Sequence, residues 1–412
     1  MLLARNRNYR LLFSATAVSN LGDGISALAF PWLASLLTRD PFLIAAVAAA
    51  GRMPWLLFSA PAGVMIDRMD RQRIMVWSDV VRAGLTCVVI LLILSVDQFD
   101  ANAPAATVWA LAALAFLLGM AEVLRDNAAQ TALPSLVAKS DLEAANGQIW
   151  SVEQVMGSFV GPPLAGVLIA VSVPSPFVFD ALSFAVAAGL VALITFPASA
   201  PRAIVQSAWA DLREGAAWLW QHKTILQLAL LLGCINAVGS GYATVTILFA
   251  QEVLGLGSAG YGMLMMAGAA GGVAGGLIGP RLVKRFGAQT MFVGTQVLFL
   301  ADPLAVWLTS SVLVVAFGMF TIMFAAVTYN VITVSYRQRA IPNEILGRVN
   351  SLFRLFGWGA IPLGMLAFGA LVSAVEAPLG REAALRLPYA IGTGLYLCTL
   401  AYSARHIRIP DR

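Results

Sequence analysis

Twelve separate apolar runs, each roughly twenty residues long or longer, dominate the sequence. A helix needs ~20 mostly apolar residues to cross the hydrocarbon core of a bilayer. The runs cover residues 10–36, 42–66, 74–95, 105–127, 143–171, 175–196, 225–250, 259–280, 288–309, 311–335, 348–374 and 387–404. Only 11% of the residues are charged, about half the share in a soluble domain. The sequence therefore predicts an all-α integral membrane protein with twelve transmembrane helices.

Lys and Arg residues are distributed unevenly over the segments between the runs. If the N-terminus lies inside, twenty of the 26 Lys and Arg residues, Arg125 among them, fall on the inner side. Only Arg39, Arg381 and Arg386 fall on the outer side. Cytoplasmic loops carry an excess of Lys and Arg. We therefore expect a protein of the cell membrane, embedded in lipid, with both termini cytoplasmic and without a nucleic-acid partner.

The longest polar interval, residues 197–224, divides the runs six and six. The sequence "GVMIDRMDR" after the second run is echoed by "GLIGPRLVK" after the eighth, 213 residues later. Two related six-helix halves are a transporter architecture. We expect an N-terminal bundle over 1–196, a cytoplasmic linker over 197–224 and a C-terminal bundle over 225–412. Apolar residues at helical spacing predict an amphipathic linker helix, which would lie on the inner membrane surface, pack between the bundles, or do both.

Four longer segments carry a family resemblance. They are "NLGDGISALAFPWL", "RMPWLLFSAPAGVMIDRMDRQR", "AAQTALPSLVAKSDLEAANG" and "IPNEILGRVNSLFRLFGWGAIPLG". With the six-plus-six arrangement, they resemble the major facilitator superfamily, and within it the efflux branch of macrolide efflux proteins and enterobactin exporters. The resemblance implies the superfamily's fold of two six-helix bundles. We expect a monomer that needs no cofactor and no metal ion.

The resemblance also implies roles for two motifs. The family's gating loop falls on Gly63, Asp67, Arg68, Arg71 and Arg73. In this family the acidic residue of that loop pairs with basic groups across the domain interface, and Arg354 is a candidate partner for Asp67. The family's antiporter motif falls on Gly157, Gly161, Pro162 and Gly166. Small residues at four-residue spacing also let helices pack closely, so this motif has a purely structural interpretation as well.

Ionisable residues inside the runs are the candidates for binding substrate or protons, because such residues are rare in membranes and functional by default. Asp23 and Arg52 fall at a similar depth and would neutralise each other as a pair. If Arg52 points elsewhere, Asp23 becomes a candidate proton carrier. The sequence leaves both interpretations open.

Two further carboxylates are candidates for the same duties. Glu122 has no basic partner at helical spacing on its own run except Arg125, and Glu153 precedes the antiporter motif. A buried carboxylate that lacks a cation takes up a proton readily, as a proton carrier must. By contrast, Asp79 and Arg82 lie three residues apart on one helical face, so we expect a structural ion pair there.

These features favour a secondary active exporter that exchanges protons for a drug-like or natural-product molecule by alternating access. A siderophore exporter of the enterobactin type is the alternative, and a symporter or importer of the same fold fits less well. A membrane enzyme or sensor fits least. The sequence contains no P-loop, no His-Glu-x-x-His motif and no Ser-His constellation, and both histidines flank the apolar runs. The identity of the substrate stays open.

Single cysteines introduced into a variant without Cys87, Cys234 and Cys398 test this topology. We expect a membrane-impermeant thiol reagent to label residues 68–73 and 197–224 only from the inside, and residues 376–386 only from the outside. Labelling of the 197–224 interval from the outside would contradict the helix count and the orientation.

Overall fold

The structure is a computed structural model that describes most of the chain. It describes residues 2–96, 99, 101–196, 208–342 and 345–410, without the side chains of 59–65, 67–68, 139 and 208–212. These residues are helical apart from short connections and one isolated β-bridge between Thr38 and Asn102. Helices are expected because the backbone N–H and C=O groups of a spanning segment must bond within that segment.

The chain divides into two compact units. The first comprises Met1–Arg39 and Ala46–Val205, and the second comprises Asp40–Ala45 and Gln206–Arg412. The helices of the N-terminal half are α1 (Leu2–Arg5), α2 (Arg7–Leu37), α3 (Pro41–Arg68), α4 (Arg71–Leu94), α5 (Ala105–Leu136), α6 (Leu142–Gln154), α7 (Gly161–Val171) and α8 (Ser175–Ala192). Those of the C-terminal half are α9 (Ala208–Gln221), α10 (Lys223–Glu252), α11 (Ser258–Phe286), α12 (Ala288–Leu298), α13 (Ala301–Leu308), α14 (Val312–Ala340), α15 (Leu346–Leu379) and α16 (Arg381–His406).

Ten helical segments within the described residues are long and apolar enough to cross a membrane. Two of them are composite, since α6 continues into α7 and α12 into α13. The helices α2 and α16, with 31 and 26 residues, are also long enough to span. Each of the twelve apolar runs therefore contains one long helical segment. This agreement confirms the prediction of an all-α membrane fold.

The segment formed by α6 and α7 is continuous but irregular. A π-helical stretch, Val155–Val160, separates the two helices, and Pro162 follows in the first turn of α7. The N–H of Gly161 bonds to the carbonyl oxygen of Met156, five residues earlier. A π-bulge of this kind accommodates the hydrogen bonds that a proline cannot make. The helix is therefore irregular directly before Pro162.

Glycines bring α2 into backbone contact with its neighbours in the first unit. A Cβ added to Gly24 would overlap the carbonyl group of Gly157, and one added to Gly161 would lie 2.6 Å from the Cα of Gly24. On the other side of α2, a Cβ on Gly22 would overlap the side chain of Asp180 in α8. Two glycines of the predicted antiporter motif thus serve close helix packing, and α2 is fixed in rotation about its axis.

Helix α9 lies within the predicted linker and packs against the start of α15. The Arg348 guanidinium group bonds to Glu214 at 2.8 Å, and a Cβ added to Gly215 would lie 3.2 Å from Arg348. Leu219 is buried. The remaining linker residues, 197–207, lie outside the described part of the chain. The described residues of α9 therefore pack against α15, which belongs to the same unit.

The contact at Gly24 predicts a sharp sensitivity to one methyl group. We expect Gly24→Ala to lower the melting temperature of the purified protein, because overpacking a close contact costs roughly 1–3 kcal/mol. Gly84→Ala is the matched control, since an added Cβ there meets nothing within 4 Å. A Gly24→Ala protein as stable as the Gly84→Ala protein would contradict the backbone contact between α2 and the π-helical stretch.

Candidate transport and coupling site

Five ionisable side chains meet in the interior of the first unit, and we call them the acid–arginine cluster. They are Asp23 of α2, Asp79 and Arg82 of α4, and Arg125 and Asp126 of α5. The side chains of Asp79 and Arg125 are fully buried, and that of Arg82 is 2% exposed. Asp23 and Asp126 retain 17% and 16% exposure. The cluster therefore has a buried centre and two partly accessible ends.

Arg82 links three helices through its guanidinium group. It forms an ion pair with Asp23, lies 3.6 Å from Asp79 and donates a hydrogen bond to the Ser19 hydroxyl at 3.0 Å. Its guanidinium carbon lies 3.8 Å from the ring centroid of Phe184 in α8. A guanidinium group carries donors only and stacks well on aromatic rings. The contact with Asp79 agrees with the expected pair at i, i+3 spacing.

Arg125 continues the cluster into α5. Its Nε lies 3.7 Å from the Asp79 carboxylate, its Nη1 donates to Asp126 at 3.1 Å, and its Nη2 donates to Thr16 at 3.5 Å. Arg125 is buried inside α5, which continues to Leu136, about two turns beyond the apolar run. Its assignment to the inner side stays a prediction.

The pair of Asp23 with Arg52 that the sequence allowed does not form in this structure. Asp23 pairs with Arg82 instead, and Arg52 is exposed on α3. Depth along a helix can be read from the sequence, but the neighbours of that helix cannot. Here α2 and α4 both pack extensively on α8, so that the long side chain of Arg82 reaches Asp23.

The two predicted glutamates lie near the same cluster. Glu122 is half-buried, accepts a hydrogen bond from the Trp55 indole at 3.3 Å and interacts electrostatically with Arg52 and Arg82. Glu153 of α6 is half-buried and interacts electrostatically with Arg125. All four predicted coupling residues, Asp23, Arg52, Glu122 and Glu153, therefore lie in the first unit. Each of them interacts with at least one side chain of opposite charge.

Acidic groups outnumber basic ones around this site. Asp180 of α8 is also buried there, accepts a hydrogen bond from Ser26 at 2.5 Å and interacts electrostatically with Arg82. The six carboxyl groups Asp23, Asp79, Glu122, Asp126, Glu153 and Asp180 face the three guanidinium groups Arg52, Arg82 and Arg125. With every group ionised, the site would carry net negative charge. It is chemically suited to hold protons or a cationic group.

The residues of the predicted gating loop are only partly described. Gly63, Asp67 and Arg68 belong to α3, but their side chains lie outside the described part of the structure. Two further loop residues, Arg71 and Arg73, begin α4 after Asp70, whose carboxylate accepts hydrogen bonds from the backbone N–H groups of Gln72 and Arg73.

The remaining predicted site residues lie on two helices. Arg354 is exposed on α15, within electrostatic reach of Arg337, and Gly166 is buried in α7. Their assignments to a gate and to an antiporter motif stay predictions.

A comparison with known protein families identifies the family of this chain. The family described as "Transmembrane secretion effector" matches residues 3–403. The chain belongs to this family. As a transmembrane secretion effector of the major facilitator superfamily, it is a multi-pass membrane transporter. The predicted fold and superfamily are thereby confirmed.

Individual relatives of this secretion effector include named efflux proteins. Multidrug efflux pump Tap of Mycolicibacterium fortuitum is 26% identical over 378 residues, which cover 88% of this chain and 89% of the pump. Macrolide efflux protein A of Streptococcus pyogenes is 25% identical over 238 residues, or 56% of either chain.

Solved structures agree on the fold. A bacterial homologue of the iron transporter ferroportin, in its inward-facing state, superposes with a TM-score of 0.68 at 18% identity. That match covers 96% of this chain and 99% of the homologue. The nucleoside transporter NupG superposes with a TM-score of 0.70 at 13% identity, over 95% of this chain and 98% of NupG.

Removal of the Arg82 charge tests the geometry of the cluster. We expect Arg82→Met to destabilise the secretion effector by ~3–5 kcal/mol, because it leaves the Asp23 carboxylate without its cation and Asp79 with Arg125 alone. The melting temperature should fall clearly, and it should partly recover in the double variant Arg82→Met/Asp23→Asn.

Arg52→Met is the matched control for this prediction. Arg52 is exposed and interacts electrostatically with Glu122, so its removal should cost far less stability than removal of the buried Arg82. The pairing seen in the structure would be wrong if Arg52→Met were the destabilising change and Arg82→Met were tolerated.

Proposed function

We propose that this transporter is a secondary active exporter in the cell membrane. It exchanges protons for a drug-like or natural-product molecule by alternating access, as a monomer with both termini cytoplasmic. The observation that carries the proposal is the excess of carboxyl groups in and around the acid–arginine cluster. Ionisable groups inside a membrane are costly, and proton relays are among the functions that retain them.

The direction of transport and the substrate class are proposed from the relatives. Multidrug efflux pump Tap aligns with most of this chain, and macrolide efflux protein A aligns with about half of it. Both are efflux proteins by name. A bulky organic substrate is therefore the first class to test, with a macrolide as the probe.

A change of protonation at one end of the cluster would alter the pairing at its centre. Charges alternate in sign along the order Asp23, Arg82, Asp79, Arg125, Asp126. Protonation of Asp23 would break its ion pair with Arg82. Arg82 would then pair with Asp79, which Arg125 also approaches. Arg125 would then bond more strongly to Asp126. In this way a proton bound at a partly exposed end changes the contacts between α2, α4 and α5.

Two other parts of the proposal rest on the family resemblance. Asp67 and Arg354 would contribute to a gate between the conformational states. The motif that contains Gly157, Gly161 and Pro162 would contribute to antiport through the irregular helix that packs on Gly24. A π-helical segment is a frequent feature of functional sites, which supports this assignment.

Export driven by a proton gradient is the decisive measurement. We expect purified wild-type protein in proteoliposomes to move a radiolabelled macrolide uphill when a pH gradient is imposed. In Asp23→Asn, which cannot release a proton, uphill transport should fall at least tenfold while downhill exchange continues. A residual contact of Arg82 with Asp79 should keep the variant folded.

Glu382→Gln is the control, because its carboxylate is exposed and belongs to a surface ion pair with Arg386. It should transport as the wild type does. Wild-type uphill transport at a rate that does not depend on the pH gradient would refute proton coupling. Full uphill transport by Asp23→Asn would exclude Asp23 as the coupling residue.

A further inference from the structure

The second unit contains a buried carboxyl group of its own. Asp302 lies in the first turn of α13 and is 4% exposed. Its Oδ1 atom has no hydrogen-bond partner among the described residues. The group lies in the composite membrane segment of α12 and α13, far in sequence from the acid–arginine cluster. The antiport proposal assigns it no role.

Tyrosines from three helices surround Asp302. Tyr242 of α10 interacts electrostatically with the carboxyl group. Asp302 also interacts electrostatically with Tyr261 of α11 and with Tyr389 and Tyr396 of α16. All four tyrosines are buried. The titratable groups that face Asp302 from α10, α11 and α16 are therefore phenols, which are neutral at physiological pH.

The other neighbours of Asp302 supply no cation. Helix α14 approaches through Gly318, where an added Cβ would lie 2.9 Å from the Asp302 Cα. Arg386 of α16 is bound at the opposite end of α13, where it donates to the carbonyl oxygen of Val306 at 2.7 Å and to Glu382 at 2.8 Å. Within the described residues, no Lys or Arg contributes to the electrostatic environment of Asp302.

This environment favours the neutral form of the carboxyl group. A buried carboxylate loses its hydration, and without a cation no ion pair compensates for that loss. The protonated form is therefore more stable. A neutral carboxyl group offers one O–H donor together with acceptor oxygens, which suits a tyrosine hydroxyl.

Three of the surrounding tyrosine rings contact one another. The ring of Tyr242 lies 5.2 Å from that of Tyr389 and 6.4 Å from that of Tyr396, between centroids. These separations are typical of aromatic rings in direct contact. A proton needs no cavity, whereas an organic cation or a hydrated metal ion does.

We propose that Asp302, buried among these tyrosines, is a proton-binding site of the second unit. The carboxyl group is neutral in the closed arrangement, and it releases its proton to water when the tyrosine cluster opens. That this proton is exchanged during transport rests on the proposed antiport function. The site is a second candidate for coupling that neither the sequence motifs nor the ion pairs indicate.

Infrared difference spectroscopy tests the protonation directly. The purified full-length protein is titrated in lipid nanodiscs, and the carbonyl stretch of protonated carboxyl groups is followed with pH. We expect Asp302→Asn to remove one carboxyl from this signal at neutral pH, and Tyr242→Phe to shift its frequency because a polar hydroxyl near the carboxyl group is removed. Tyr329→Phe is the control, because its buried hydroxyl has no hydrogen-bond partner among the described residues.

Two spectroscopic outcomes would overturn the proposal. One is a wild-type signal that Asp302→Asn leaves unchanged, since Asp302 would then be ionised. The other is a signal that responds to sodium ions at constant pH. Asparagine is nearly isosteric with neutral aspartic acid, so the variant should fold. If it does not, the Tyr242→Phe shift decides, and its absence counts against the site.

Transport in proteoliposomes tests the coupling role separately. We expect Asp302→Asn to lose uphill macrolide export at least tenfold under a pH gradient while downhill exchange continues, and Tyr329→Phe to behave as the wild type. Full uphill export by Asp302→Asn would exclude a transported proton at this site. Wild-type export that does not depend on the pH gradient would refute the antiport proposal instead. The spectroscopic evidence for a protonated Asp302 would not be affected.

Discussion

The ion pairs of Arg82 are the interaction on which the first unit depends. A guanidinium group inside a membrane segment must find acceptors within the protein, because lipid offers none. Arg82 finds Asp23 on α2, Asp79 on its own helix and an aromatic face on α8. Glycines on both sides of Asp23 fix α2 so that this carboxylate points towards α4. Packing and charge thus specify the same arrangement of helices.

The two units stabilise buried carboxyl groups in different ways. In the first unit, arginines balance most of the carboxylates. In the second unit, Asp302 lies among tyrosines, and neighbouring polar groups form neutral hydrogen bonds, such as the one of 2.9 Å between Thr246 and Tyr389. In the proposed antiport, a proton added to the first site would rearrange ion pairs. A proton lost from the second would create an unbalanced charge, which would favour opening of the tyrosine cluster to water.

Close helix packing gives these polar groups their geometry. Lipid tails are as apolar as the side chains that they would replace, so helices in membranes associate through close contact and hydrogen bonds. Gly24 against Gly157 in the first unit and Gly318 against Asp302 in the second are such contacts. In both cases a glycine lies directly beside a carboxyl group of the membrane interior or beside its helix. A side chain at either position would displace the carboxyl group as well as the helix.

The sequence by itself determined the class of fold and the list of candidate residues. Apolar length decides which segments span, and a charge inside such a segment is conspicuous, so Asp23, Glu122 and the twelve helices could be predicted. Only the tertiary structure decided which charges meet. The sequence gives the depth of Asp23 but not the helix beside it, so it predicted Arg52 as the candidate partner and missed Arg82. Asp302 shows the same limit, because four tyrosines from distant helices become its neighbours only when the chain folds.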